Sequence, residues 1–188
     1  MSSIHTIKVS LRYMQPPVWR RLQIPSGTNL AELHHIIQAA MGWDDCHLHQ
    51  FEVNGRYYAD PEHMLEVTGD EARGTLAGMN VGDRFAYWYD FGDEWWHDIE
   101  VESVDQTQPG LMYPRCVTGS RACPPEDSGG PWGFDELMRA LGDEKHRQHE
   151  LHTEWMRRIG HSRYDPAHFD LDEINEALAR LATGALQL

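Results

Sequence analysis

Apolar and polar residues alternate near the start of the chain: Ile7, Val9, Leu11 and Tyr13 interleave with Lys8, Ser10 and Arg12. A period of two puts the apolar set on one side of an extended backbone, so this segment predicts a half-buried strand. Pro16-Pro17 interrupts it, because proline has no N–H for a ladder. Val18, Leu22 and Ile24 share one parity with Arg20 and predict a second strand, able to pair with the first as a hairpin-like unit. Pro25-Ser26-Gly27 reads as a turn. The period then changes to that of a helix: Leu30, Leu33, Ile37 and Met41 recur on one face, Asn29 and Glu32 form a capping-box pair, and Gly42 is placed to end it.

Strand patterning resumes with His47, His49, Phe51 and Val53 on one parity, followed by Asn54-Gly55, a strong two-residue hairpin signal, and a return strand over Arg56–Ala59. Asp60 to Gly74 is polar and irregular and predicts a loop with at most a short helix. Phe85, Tyr87, Tyr89 and Phe91 share a face, Gly92-Asp93 turns the chain, and Trp95, His97, Ile99 and Val101 alternate with Trp96, Asp98, Glu100 and Glu102. Gln106 to Gly133 is rich in proline and glycine and reads as a long ordered loop. Helical spacing follows in Phe134, Leu137, Met138 and Leu141, in Leu151, Trp155 and Ile159, and, behind an Asp170/Glu173 cap, in Ile174, Leu178 and Leu181. Strands come first and helices last, so the expected class is α+β: a mostly antiparallel sheet in the N-terminal two-thirds with one early helix, and a helical C-terminal third packed on it. At 188 residues the chain is expected to be one domain, 1–188.

Charge narrows the set of partners. The formal net charge is -14 with histidine neutral, and such a surface repels phosphate backbones and acidic membranes, which argues against non-specific nucleic-acid binding. Arg20-Arg21 and Arg157-Arg158 are short basic runs, expected on solvated faces. Cysteine is sparse, at Cys46, Cys116 and Cys123, which argues against a secreted disulfide scaffold. No apolar stretch near Met1–Lys8 has signal-peptide length and no window approaches a membrane span of about 18 apolar residues. The expected location is the cytoplasm, without membrane partners.

Candidate chemistry gathers around Tyr89–His97 and Cys123–Gly130. His47, His49, His97, Asp93, Cys116 and Cys123 are candidate metal ligands, since imidazole, thiolate and carboxylate are the donors that zinc and related ions take. The spacing of Cys116 and Cys123, with six residues between them, matches no zinc-knuckle pattern; the alternative is a core histidine and reduced structural cysteines. A divalent metal such as zinc is therefore the candidate cofactor, and no other is indicated. Asp90, Asp93, Glu126 and Asp127 could supply paired carboxylates and His97 a base for acid–base hydrolysis; the plainer alternative for Asp90 and Asp93 is turn chemistry. Cys123 or Cys116 with His97 is a weaker nucleophile–base pairing, because Pro124-Pro125 offers no N–H to lower a thiol pKa. Trp43, Trp95, Trp96 and Trp132 are candidates for a binding surface, with packing in the core as the alternative reading. His146, His149 and His152 are expected on the solvated face of their helix, opposite Leu151 and Trp155.

Several motifs taken together resemble one family. They are Pro16-Pro17-Val18-Trp19-Arg20-Arg21, Leu33-His34, Gly42-Trp43, His47-Leu48-His49-Gln50-Phe51, Tyr89-Asp90-Phe91-Gly92-Asp93 with Trp95 and His97, Tyr113-Pro114, Cys116, Gly119, and Cys123-Pro124-Pro125-Glu126-Asp127-Ser128-Gly129-Gly130. In this order, from about Ile4 to Leu178, the chain is similar to the plasmid pRiA4b ORF-3-like family. The resemblance implies an α+β fold and an association with plasmids and insertion elements, some members carrying a resolvase-like label; it implies no particular activity. Strand exchange fits this chain poorly. Ser2, Ser3 and Ser10 are followed by neither a basic tail nor a helix-turn-helix, and the charge opposes phosphate binding. The expected function is a protein-interaction or regulatory module with a protein partner. The alternative is a metal-assisted hydrolase, acting for instance on a phosphodiester through the Asp90/Asp93/His97 corner.

Overall fold

The computed structural model of the chain describes residues 3–184, so Ser2 lies outside it. Strands β1 (Ser3–Leu11), β2 (Trp19–Pro25), β3 (His49–Val53), β4 (Arg56–Ala59), β5 (Gly69–Asp70), β6 (Arg84–Tyr89), β7 (Trp95–Gln106) and β8 (Arg115–Ser120) form one sheet in the order β5-β4-β3-β6-β7-β1-β2-β8. Neighbours are antiparallel except β4 and β5, which run parallel. Helix α1 (Leu30–Met41) links β2 to β3, and α2 (Gly130–Gly142), α3 (His149–Arg158) and α4 (Leu171–Ala182) follow the last strand. The class is α+β, with α-helices confined to one early element and the C-terminal third.

Alternation decides what the sheet buries. Ile7, Val9, Leu11, Leu22, Ile24, Phe51, Tyr87, Tyr89, Ile99 and Val101 all fall in one core cluster with Leu30, Leu33 and Ile37 of α1. Each such side chain contributes about 1.5–3 kcal/mol when fully buried. The other face carries cross-strand charge pairs instead: Arg21 with Glu102, Arg12 with Asp98 and Arg84 with Glu100. Helix α1 starts where the sequence places it, with Asn29 and Glu32 each satisfying the other's backbone N–H, and it ends at Gly42 with a left-handed φ of 82°. Helix α4 lies against β8, where Asn175 bonds both the N–H and the carbonyl of Cys116.

Some elements depart from the pattern. The proline- and glycine-rich stretch contains β8, a strand that alternation did not reveal. Asp60–Gly74 holds short single-turn helices at Pro61–His63 and Glu71–Arg73 together with β5. Phe91 leaves the face of Tyr87 and Tyr89 because Asp90 is left-handed (φ 53°), and it packs on Trp88 at 4.5 Å between ring centroids. Arg20 is no solvated cation: it is 3% exposed, donates to the carbonyls of Ala40, Trp19 and Ser120, and stacks on Phe169. In α3 the buried residue is Met156, while Leu151 is 64% exposed.

Candidate functional site

Three segments meet at the β6–β7 end of the sheet. The first is the loop from Trp43 to Leu48, the second the Asp90–Glu94 turn, the third the Cys123–Gly130 loop. Trp43, 3% exposed, anchors the first to the third by donating its indole N–H to the Pro124 carbonyl at 2.9 Å. Glu126 completes the join. Its carboxylate accepts the Tyr89 hydroxyl at 2.5 Å, the Cys46 thiol at 2.9 Å and the Asp44 N–H at 3.3 Å, while the Tyr89 oxygen also accepts the Cys46 N–H. Partial desolvation, and after it the Glu126 carboxylate, push the Cys46 thiol up to about 11. Desolvation with the same carboxylate also raises the Tyr89 phenol, so both groups are protonated donors at neutral pH.

The result of this bracing is the position of His47. Its Nε2 is buried, has no hydrogen-bond partner among the described residues, and faces Asp127 Oδ1 at 3.2 Å and Asp90 Oδ2 at 3.6 Å. Asp90 is 7% exposed, and its other oxygen accepts the N–H groups of Gly92 and Asp93 at 2.9 and 3.3 Å. One oxygen thus holds the turn and the other is left for His47. His47, Asp90 and Asp127 have ligand atoms within 4.8 Å of one another, and so do Cys46, His47 and Glu126. An imidazole nitrogen with carboxylate oxygens suits zinc, manganese and related divalent ions, with the thiol favouring the softer end.

The other residues singled out from the sequence have different surroundings. Asp93 accepts the Gly129 N–H at 2.8 Å and so fastens the third segment to the turn. Gly130 makes the closest approach: a Cβ there would come nearer than 3.0 Å to the Asp93 carbonyl, so only glycine fits. His97 is fully buried; its Nδ1 donates to the carbonyls of Trp95 and Tyr87, its ring meets Trp43 edge-on, and burial lowers its pKa to about 4. It therefore does not share a ligand group with Asp93. Cys116 is buried under α4 with its thiol on the Thr118 carbonyl, and burial pushes the Cys123 thiol up to about 12. Trp43 and Trp95 are core residues, and Trp96 is half-buried on Trp88. Trp132 is 65% exposed and pairs with exposed Tyr13 at 5.3 Å.

His49 diverges from His47, because His47 precedes the strand and only His49 is held in its pleat. Its Nε2 meets Glu71 at 2.8 Å, and its ring stacks on His34 at 3.5 Å with 4° between planes. His34 in turn bonds Tyr87 and Asp45, and burial holds its pKa down to about 4 in spite of Asp45. Sequence reasoning missed this network. His34 does have a signal, since it lies beside Leu30, Leu33 and Ile37 at helical spacing. Glu71, in an irregular segment, and Cys46 have none.

Comparison with known proteins bears on the same residues. The plasmid pRiA4b ORF-3-like protein family matches residues 3–173 of the chain. The chain belongs to this family. An uncharacterized protein, y4hQ, of Sinorhizobium fredii (strain NBRC 101917 / NGR234) is 37% identical over 188 residues, spanning 97% of this chain and 94% of that protein. The crystal structure of MM3350, a protein of unknown function from Methanosarcina mazei Go1, is similar with a TM-score of 0.83 and 32% identity, over 92% of this chain and 98% of that one. The pRiA4b ORF-3-like match takes in all three segments of the corner. Among the described residues no helix is long and apolar enough to cross a membrane.

Proposed function

We propose that the corner binds one divalent transition-metal ion through His47, Asp90 and Asp127, and that the domain is a metal-dependent interaction module. The observation that carries this reading is His47 Nε2, buried, without a hydrogen-bond partner among the described residues, and flanked by two carboxylates. A neutral imidazole there offers its lone pair to a cation that both carboxylates also attract, and the ion relieves their mutual repulsion. Asp127 is 69% exposed at its side chain, so an ion can enter from solvent and keep water on its open side. The loop that carries Asp127 runs through Gly129 and Gly130 into α2, where exposed Trp132 pairs with Tyr13. Metal binding would fix that loop and with it the aromatic pair on which a protein partner docks.

The test is calorimetric titration of the metal-free chain with zinc and manganese, with elemental analysis of untagged protein. One ion per chain is expected, and His47→Ala or Asp90→Asn should weaken binding about 10- to 100-fold or more. Metal binding that neither variant weakens, or no saturable binding by the wild type, refutes the site. Metal-assisted hydrolysis is the second reading, favoured by the open side at Asp127 where a bound water would face solvent. Asp93 and His97 support it less than their sequence positions suggested, because one serves the Gly129 N–H and the other two backbone carbonyls. Turnover of a phosphodiester that disappears in Asp90→Asn would favour hydrolysis over interaction.

A further inference from the structure

Asp127 has a second neighbourhood. With its neighbour Ser128 it forms part of the wall of a pocket of about 320 Å³ between the Cys123–Gly130 loop, α2 and α3. That volume falls at the small end of ligand sites. Leu137, Leu151 and Trp155 make its apolar wall. The 64% exposure of Leu151 follows from this, since the stripe of α3 that its spacing marks as buried faces the pocket.

Two polar groups of the pocket lack partners among the described residues, while its two carboxylates, Asp127 and Glu154, are paired with His47 and Arg157. Ser128 is 9% exposed and its Oγ has no hydrogen bond among the described residues; neither does the buried Nε2 of His152. A buried hydroxyl or imidazole nitrogen left unpaired costs about 1–3 kcal/mol, which a hydrogen bond from a ligand would offset. Arg158 also lines the pocket. Glu154, which also lines the pocket, is taken by Arg157 at 2.7 and 2.9 Å, and Arg158 has no ion pair among the described residues. In a chain of net charge -14, an uncommitted guanidinium beside an apolar wall is complementary to an anion.

We infer that this pocket binds a small organic anion, an oxyanion carried on a short apolar or aromatic group. Arg158 takes the charge, Ser128 and His152 take the remaining oxygens, and Leu137, Leu151 and Trp155 cover the apolar part. Because Asp127 belongs both to this wall and to the His47 cluster, the anion and the ion at the corner are coupled. Without a cation the Asp127 carboxylate repels the anion, and with one it does not. That coupling alone rests on the metal reading; the pocket itself does not.

The probes are phenyl phosphate and phenylacetate, with benzyl alcohol as the neutral analogue, titrated calorimetrically into the full chain. At least one anion should bind saturably and more tightly than the alcohol. Which of the two binds better identifies the oxyanion as phosphate or carboxylate. Arg158→Gln and Leu151→Asp should each weaken binding about tenfold or more, the loss expected for one charge-assisted hydrogen bond or one apolar contact surface. Both side chains point to solvent or pocket, so neither change should alter the thermal midpoint by much. Asp127→Asn separates the two proposals, since Asn tolerates the left-handed backbone there (φ 57°). It should lose metal affinity while binding the anion at least as tightly as metal-free wild type. Anion binding in that variant upholds the pocket even if metal titration has failed. Stoichiometric metal without saturable binding of either anion overturns the pocket and leaves the metal site standing. Equal affinity for benzyl alcohol, or indifference to both Arg158→Gln and Leu151→Asp, overturns it as well.

Discussion

Gly130→Ala tests how the Cys123–Gly130 loop is held on the β6–β7 turn. Gly130 has a φ of 68°, and a left-handed alanine costs about 1–2 kcal/mol from its own backbone. The larger cost is contact. The new Cβ would fall inside 3.0 Å of the Asp93 carbonyl oxygen and lie 3.1 Å from its carbon, and backbone atoms cannot rotate away as a side chain can. The loop must lift, which adds about 1–3 kcal/mol of the kind seen on overpacking. Lifting also weakens the Gly129 N–H bond to the Asp93 carboxylate, 2.8 Å long, a charge-assisted bond worth about 1.5–3 kcal/mol. Gly42→Ala is the matched control: its φ is 82° and nothing lies within 4 Å of an added Cβ. Gly130→Ala should therefore be less stable than Gly42→Ala by about 2–4 kcal/mol. At about 2–4 °C per kcal/mol for a chain of this size, the two midpoints should differ by roughly 4–16 °C. Thermal melts by circular dichroism read the difference. Only Gly130→Ala should also weaken metal binding, since Asp127 rides on the lifted loop. Midpoints within a degree or two of one another would refute the close docking of loop on turn.

Other expectations follow from burial. The unfolded chain protonates His97 near 6.5 and the folded chain only near 4, so the unfolded state holds more protons in between. Stability from this residue is fully present above pH 6.5 and falls by about 3 kcal/mol as the pH drops to 4, at 1.36 kcal/mol per pH unit. Urea unfolding at pH 7 and pH 5 measures the slope, and an unchanged slope in His97→Phe would contradict it. Trp43→Ala removes a buried indole and its bond to the Pro124 carbonyl and should cost about 3–5 kcal/mol. Trp132→Ala, at an exposed position, should change stability by less than about 0.5 kcal/mol; equal effects on chemical denaturation would reverse the assignment of core and surface. Asn29→Ala removes the side-chain acceptor of the Glu32 N–H, one half of the capping box, and should cost about 1 kcal/mol; Glu32→Ala removes the acceptor of the Asn29 N–H, the other half, with a smaller loss.

The elements that the sequence specifies are those whose signal is local. The α1 boundaries follow from Asn29, Glu32 and Gly42 because capping is settled within one turn of helix, and the β3–β4 hairpin follows from Asn54-Gly55 for the same reason. The composition of the corner was legible too: Asp90, Asp127, Glu126 and His47 were all identifiable as candidates. Their partners were not, because a strand's parity gives the side of the sheet and not the residue across the gap. His47 and His49 have the same parity, yet one lies before the strand and meets Asp90 and Asp127 while the other meets Glu71. His97 had two readings, a base beside the carboxylates of the turn or a core histidine on the apolar parity of its strand; in the structure it is buried on two backbone carbonyls, while Asp93 serves the Gly129 N–H. Leu151 looked like core because spacing marks a helix's apolar face without saying whether anything covers it. Local chemistry along the chain set where the helices and hairpins form. Long-range packing of the Cys123–Gly130 loop on the Asp90–Glu94 turn decided which acids surround His47 and which apolar face stays open, because those contacts join residues some thirty to eighty positions apart and depend on how the whole sheet is ordered.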